Sequence, residues 1–184
     1  WNSVFRELDI SAVMHPLYIA SKNLDLVMHA LRSDMRFIGG AVTVPYKVEI
    51  TKYLDVLELE AELIGAVNCV YRRGKKLVGA NTDGEAALQT IEEIRGASAI
   101  KDAVVLIMGI GGAGRAVSVY LANAISKKGK IYLANRTPGR LEQLSQTLRS
   151  KCKVDVLTLP PTVASILDSD ILINCSTVGF QTPF

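Results

Sequence analysis

Metal-binding and disulfide signatures are missing from this chain. Its three cysteines, Cys69, Cys152 and Cys175, are far apart and odd in number, and no CxxC pair occurs. The two histidines, His15 and His29, have no partner at a metal-ligand spacing. No disulfide scaffold and no metal site is expected, and a reducing compartment, the cytoplasm, is the simpler reading. Long apolar runs are lacking as well. The most apolar stretch, Ala103 to Ala113, is short, glycine-rich and followed by Arg115. It is too short to span a bilayer, and no signal peptide is visible. Charge of one sign is nowhere concentrated: a net +3 comes from 21 basic and 18 acidic residues, dispersed without a polybasic arm. Nucleic acid is therefore not an expected partner, while a cationic pocket for a small anion stays open.

What is present is ordinary in bulk: 184 residues, 49% hydrophobic and 21% charged. That suits one large domain or two small ones. The chain starts at Trp1 and stops at "VGFQTPF" just after a strand-like segment, and it reads as a fragment lacking residues at both ends. From residue 104 onward, strand and helix patterns alternate. Val104–Met108 is a β-branched apolar strand, Ala113–Ile125 a helix, and "KIYLANRT" a second strand ending near Ala134. "GRLEQLSQTLRS" is amphipathic, with Leu141, Leu144 and Leu148 on one helical face. "VDVLTL", a short helix at Val163–Leu167 and "DILIN" complete the series, the signature of a parallel sheet covered by helices.

The first half is α/β as well. "ISAVMH" and "RFIGGAVTV" read as strands, and "NLDLVMHALRS" as a helix with Leu24, Val27, Met28 and Leu31 on one face and Asn23 as N-cap. "VLELEAELIG" reads as a helix stopped by Gly65, and "AVNCVYRRGKKLVGANTD" as two strands joined by a turn at Arg73-Gly74. A further helix runs from Gly84 to Arg95, and the boundary between the halves falls around residues 95 to 101.

Gly109-Ile110-Gly111-Gly112-Ala113-Gly114 fits GxGxxG directly after a strand and before a helix. The first glycine permits the tight turn, the second lets a diphosphate approach the backbone, and the third lets helix and strand pack closely. Free N–H groups and the dipole at the helix start favour the negative charge. Where an NAD-binding unit offers a carboxylate to the ribose, this chain has Asn135, Arg136 and Thr137, with Arg140 following. An amide, guanidinium groups and a hydroxyl suit a 2′-phosphate, so NADP is the expected cofactor.

Two polar clusters interrupt the first half: Thr43-Val44-Pro45-Tyr46-Lys47 and Asn81-Thr82-Asp83. Each stands at the carboxyl end of a strand, where ligands bind in α/β sheets. Hydride transfer to a carbonyl needs a proton delivered to the developing alkoxide, and a Lys held by an Asp can deliver it. Each residue alone also has an ordinary reading, Asp83 as a helix N-cap and Lys47 as a solvated side chain.

"VTVPYK", "GAVNCV", "GANTDG", "GIGGAGRA", "NRT" and "INCSTVG" occur in an order and spacing that resemble the shikimate dehydrogenase family. The resemblance implies an N-terminal α/β substrate-binding domain, residues 1–95, and a C-terminal Rossmann-type dinucleotide-binding domain, residues 96–184, each incomplete at its outer end. It implies reversible, NADP-linked reduction of 3-dehydroshikimate to shikimate, or the parallel quinate chemistry, in the pathway to chorismate and the aromatic amino acids. Lys47 and Asp83 would be the catalytic pair, with Thr43, Asn68 and Thr82 in the substrate pocket. Gly109, Gly111, Gly112, Ala113 and Gly114 would hold the diphosphate, Asn135, Arg136, Thr137 and Arg140 the 2′-phosphate, while Asn174 and Ser176 would lie on the nicotinamide side.

The departures are specific. Ala41 replaces an asparagine expected to reach substrate hydroxyls, Cys69 a threonine, and Ala86 a glycine. Cys175 and Ser176 stand where Ala and Thr are common. The family's N-terminal Ser-x-Ser segment and C-terminal substrate-contacting helix have no counterpart in this sequence. A non-catalytic sensor of a related polyhydroxy acid is the alternative reading, and a homodimer is one expected assembly. A glutamyl-tRNA-reductase type would need an early nucleophilic cysteine, whereas the first one here is Cys69, in a hairpin strand.

Overall fold

The structure, a computed structural model, describes residues 1–179, the side chains of Pro138 and Arg140 excepted. Helix α1 (Asn2–Glu7) buries no residue. The segment "ISAVMH" is not a strand. Met14 instead exchanges its backbone N–H and C=O with the Asn2 side-chain amide, at 2.7 and 3.0 Å, spending the groups a ladder would need. Helix α2 (Leu24–Ser33) buries Leu24 and Met28 on the expected face. Asn23 occupies its N-cap position without a side-chain capping bond, because a 3₁₀ turn at Ser21–Asn23 leads into the helix.

Strand β1 (Gly39–Ala41) is much shorter than its apolar sequence suggests, and the chain turns at Val44-Pro45. A 3₁₀ turn at Glu49–Tyr53 follows. Val56 and Leu57, read from sequence as the start of a helix, form strand β2 (Val56–Leu57) because the sheet offers them a partner. Helix α3 (Leu59–Ile64) then ends at Gly65, whose φ of +67° is the left-handed geometry that favours glycine. Strands β3 (Cys69–Arg73) and β4 (Lys76–Ala80) form an antiparallel hairpin over Gly74 and Lys75. Helices α4 (Asp83–Arg95) and α5 (Ala97–Ile100) lead into the second half.

There the alternation is regular. It comprises β5 (Val104–Met108), α6 (Gly112–Ala124), β6 (Lys130–Asn135), α7 (Glu142–Arg149), β7 (Lys153–Thr158), α8 (Val163–Leu167) and β8 (Ile171–Asn174). Leu141, Leu144 and Leu148 are all buried, as their spacing requires. Each such leucine contributes about 1.5–3 kcal/mol through burial.

Two sheets result. The first has order β1-β3-β4-β2, with β3 antiparallel to its neighbours and β2 parallel to β4. Hence β1 and β4 run the same way, and their carboxyl ends share one edge with the start of β3. The second, β7-β6-β5-β8, is parallel throughout. Its order reverses at β5/β8, the place where α/β sheets bind ligands. Helix α4 packs on α6 and joins the halves; Gly84 has no room for a Cβ because the Ala116 carbonyl lies there.

Candidate active site

The edge shared by β1, β3 and β4 brings Lys47, Asn68 and Asp83 together across the fold. Lys47 follows the turn after β1, Asn68 precedes β3, and Asp83 opens α4 just after β4. The Lys47 Nζ donates to Asp83 Oδ2 at 2.7 Å, and Asn68 Nδ2 donates to Asp83 Oδ1 at 2.8 Å. Each carboxylate oxygen therefore carries one donor. The two side chains are mostly covered, 16% and 25% exposed, so solvent weakens the pair less than it does a surface ion pair. Asp83 is also the first residue of α4, where the helix dipole favours an anion.

The same short segment anchors both members. Val67 N–H bonds the Lys47 carbonyl at 2.7 Å, and Asn68 Oδ1 accepts the Thr82 N–H at 3.1 Å. Asn81 reads in sequence only as a neighbour of Asp83, yet it is 5% exposed and makes two bonds. Its Nδ2 donates to the Ala66 carbonyl and its Oδ1 accepts the Asp83 N–H, both at 3.0 Å. An Asn two residues before a helix's first residue is a sequence signal for such a turn.

Thr82 is exposed, and its hydroxyl oxygen accepts from Asn68 at 3.0 Å. Asn68 thus spends both amide hydrogens inside the chain. Thr43 is exposed. It lines a cavity of about 870 Å³ with Ala41, Tyr46 and the segment 13–21, and neither Lys47 nor Asp83 borders that cavity. Ala41 ends β1 opposite Cys69.

In the glycine loop, Gly109 takes a φ of +86°, and a Cβ there would lie 2.5 Å from the Ser176 backbone. Gly114 has the Gly109 carbonyl where its Cβ would go, while a Cβ on Gly111 would meet nothing within 4 Å. Ala113 lies in the first turn of α6, which no side chain caps. These features fit a dinucleotide: open backbone at Gly111, uncapped N–H groups and close helix–strand packing. Asn135 is turned inward, its Oδ1 accepting the Ile110 N–H at 3.2 Å, so it fastens the loop to β6. Arg136 and Thr137 are exposed, and Arg136 has no ion pair among the described residues. Arg140 falls in the 3₁₀ turn Pro138–Leu141, its side chain outside the described structure. Asn174 and Ser176 bond each other, with Asn174 Oδ1 accepting both the N–H and the hydroxyl of Ser176 at 3.0 and 2.6 Å.

Sequence reading gave no role to Cys175, whose Cβ lies 3.3 Å from the place of a Cβ on Gly114. Burial pushes its thiol pKa up, the Asp83 charge adds to this, and the Lys47 charge opposes it. Among the described residues no helix is long and apolar enough to cross a membrane, and no cluster could hold a metal ion.

Residues 1–70 match the family model described as shikimate dehydrogenase substrate binding domain. The shikimate dehydrogenase (NADP(+)) of Methanobrevibacter smithii is 34% identical over 183 residues, which cover 98% of this chain and 62% of that protein. A crystal structure of a shikimate dehydrogenase in complex with NADP+ aligns with a TM-score of 0.81 and 34% identity, covering 97% of this chain and 61% of that one. The Listeria monocytogenes shikimate 5-dehydrogenase in complex with shikimate and NAD aligns with a TM-score of 0.80 and 30% identity, covering 98% and 63%. The chain thus spans less than two thirds of the length of such relatives.

Proposed function

We infer that the chain belongs to the shikimate dehydrogenase family, as its similarity to such enzymes over nearly its whole length supports, and that it serves the reversible, NADP-linked reduction of 3-dehydroshikimate to shikimate, or of the quinate analogue. The observation that carries this reading is the 2.7 Å contact of Lys47 Nζ with Asp83 Oδ2, beside the glycine loop. A bound dinucleotide supplies the hydride. Lys47 gives a proton to the carbonyl oxygen as it becomes an alkoxide, and takes it back in the reverse direction. An ammonium has three hydrogens; one is on Asp83, leaving two for the substrate. Asp83 holds the ammonium in place, and Asn68 and Asn81 hold Asp83.

Thr43 and Thr82 offer hydroxyls to a polyhydroxy acid, with Asn68 orienting the pair beside them. Gly109, Gly111, Ala113, Gly114 and the start of α6 would cradle the diphosphate. Arg136 and Thr137, with Arg140, would meet the 2′-phosphate, and Asn174 and Ser176 shape the nicotinamide side. A pure sensor has no chemical use for a covered Lys–Asp pair, which disfavours that alternative. The cytoplasm suits three free cysteines. A homodimer is the assembly to test by sedimentation of the complete protein.

The deciding experiment is an NADP-reduction assay of the complete protein with shikimate and then quinate. Turnover of one acid is expected. Binding of either acid without turnover would establish the sensor instead.

A further inference from the structure

The nucleotide fingerprint accounts for three of the four glycines in the loop. Gly109 makes the turn, Gly111 leaves the approach open, and Gly114 admits the Gly109 carbonyl. Gly112 occupies one of the three free positions of GxGxxG. It is the first residue of α6, and its φ lies outside the left-handed region, so its backbone suits any residue. Nevertheless a Cβ on Gly112 would stand 2.6 Å from Lys47 Cβ, 3.1 Å from Cδ and 3.4 Å from Cγ. The three nearest atoms all belong to the one side chain that pairs with Asp83.

One turn further along α6, the Ala116 carbonyl fills the space beside Gly84, the residue after Asp83. Lys47 and Asp83 come from segments separated by 36 positions, yet the same helix abuts both. The stem of Lys47 cannot simply swing aside. Its Cβ is fixed to a backbone whose carbonyl is held by Val67 N–H at 2.7 Å.

We propose that Gly112 is a positioning residue for the Lys47–Asp83 pair: its missing side chain is the recess that seats the lysine stem. The nucleotide helix α6 thereby sets the direction of the ammonium, and its glycine loop serves both the cofactor and the proton donor. The consequence for rate rests on the reading of Lys47 as proton donor. The packing contact stands without it.

The test uses the complete protein with Gly112→Ala, Gly111→Ala and Lys47→Gly, singly and combined. Gly112→Ala is expected to lower kcat about 100-fold, the cost of misplacing a reacting group by about 1 Å. NADP(H) binding, followed by fluorescence titration, should weaken less in Gly112→Ala than in Gly111→Ala. Independently of turnover, Gly112→Ala should lower Tm in the natural background and leave it unchanged in Lys47→Gly, where the obstructing atoms are gone. Equal Tm losses in both backgrounds would overturn the proposal, as would a loss of NADP(H) binding matching that of Gly111→Ala. Should Gly112→Ala fail to fold, recovery in the Lys47→Gly double variant supports the contact, and failure there refutes it. If the Tm coupling holds while the unaltered protein turns over neither acid, the contact stands and the catalytic reading falls.

Discussion

Asp83 carries a donor on each carboxylate oxygen and gives its N–H to Asn81, whereas Arg136, beyond β6, has no ion-pair partner among the described residues. The Lys–Asp side is closed upon itself; the second side, on the proposed reading, is left open for an anionic phosphate. A proton donor must be aimed before the substrate binds, since orientation supplied in advance is entropy the reaction does not lose later. A 2′-phosphate site gains by the opposite arrangement, because a guanidinium already bound to a carboxylate must give up that partner first.

The contrast is broken most severely at Lys47. Lys47→Ala is expected to lower kcat by about 10²–10⁴-fold, the range of a lost general acid, with nucleotide binding retained. Steady-state assays of the complete protein read both quantities, and unaltered kcat would remove Lys47 from the chemistry. On the open side, Arg136→Ala should weaken NADP(H) by about 1.5–3 kcal/mol, the worth of a hydrogen bond to a charged group. NAD(H) affinity should not move, and equal losses for the two nucleotides would refute the 2′-phosphate role. Asn81→Ala gives the smallest effect. It removes one buried and one half-buried bond and leaves the Ala66 carbonyl without its partner, costing about 1–3 kcal/mol of stability. A lowered denaturation midpoint with a reduced kcat sharpens the picture of an interlocked site, while an unchanged midpoint contradicts it.

Much of the second half was legible because its signals are local. The β-branched run at 104–108, the leucine spacing at 141–148 and the glycine loop each declare their structure within a few residues. The first half is harder to read. "ISAVMH" has the composition of a strand, but its backbone bonds the Asn2 side chain. Val56 and Leu57 sit in a helix-like sequence and were drawn into the sheet by β4. Strands depend on partners distant in sequence, so propensity alone misplaces them.

The candidate site divides in the same way. Lys47 and Asp83 stand out as polar residues at strand ends, but Asn81 looks like a simple neighbour until its burial is seen. The departures at Ala41 and Cys175 are visible in sequence; that Cys175 lies close enough for the charges of Asp83 and Lys47 to act on its thiol is not.

By itself the sequence determined the α/β alternation, the nucleotide loop, the absence of a carboxylate after β6 and the residue types available for proton transfer. Periodicity, turn chemistry and side-chain charge are properties of neighbouring residues, so they survive without a fold. Only the tertiary structure decided that Lys47, Asn68, Asn81 and Asp83 share one edge, and that Gly112 leaves room for the lysine. Those facts depend on strand order and on helix α6 packing across two halves of the chain, which no short stretch of sequence contains.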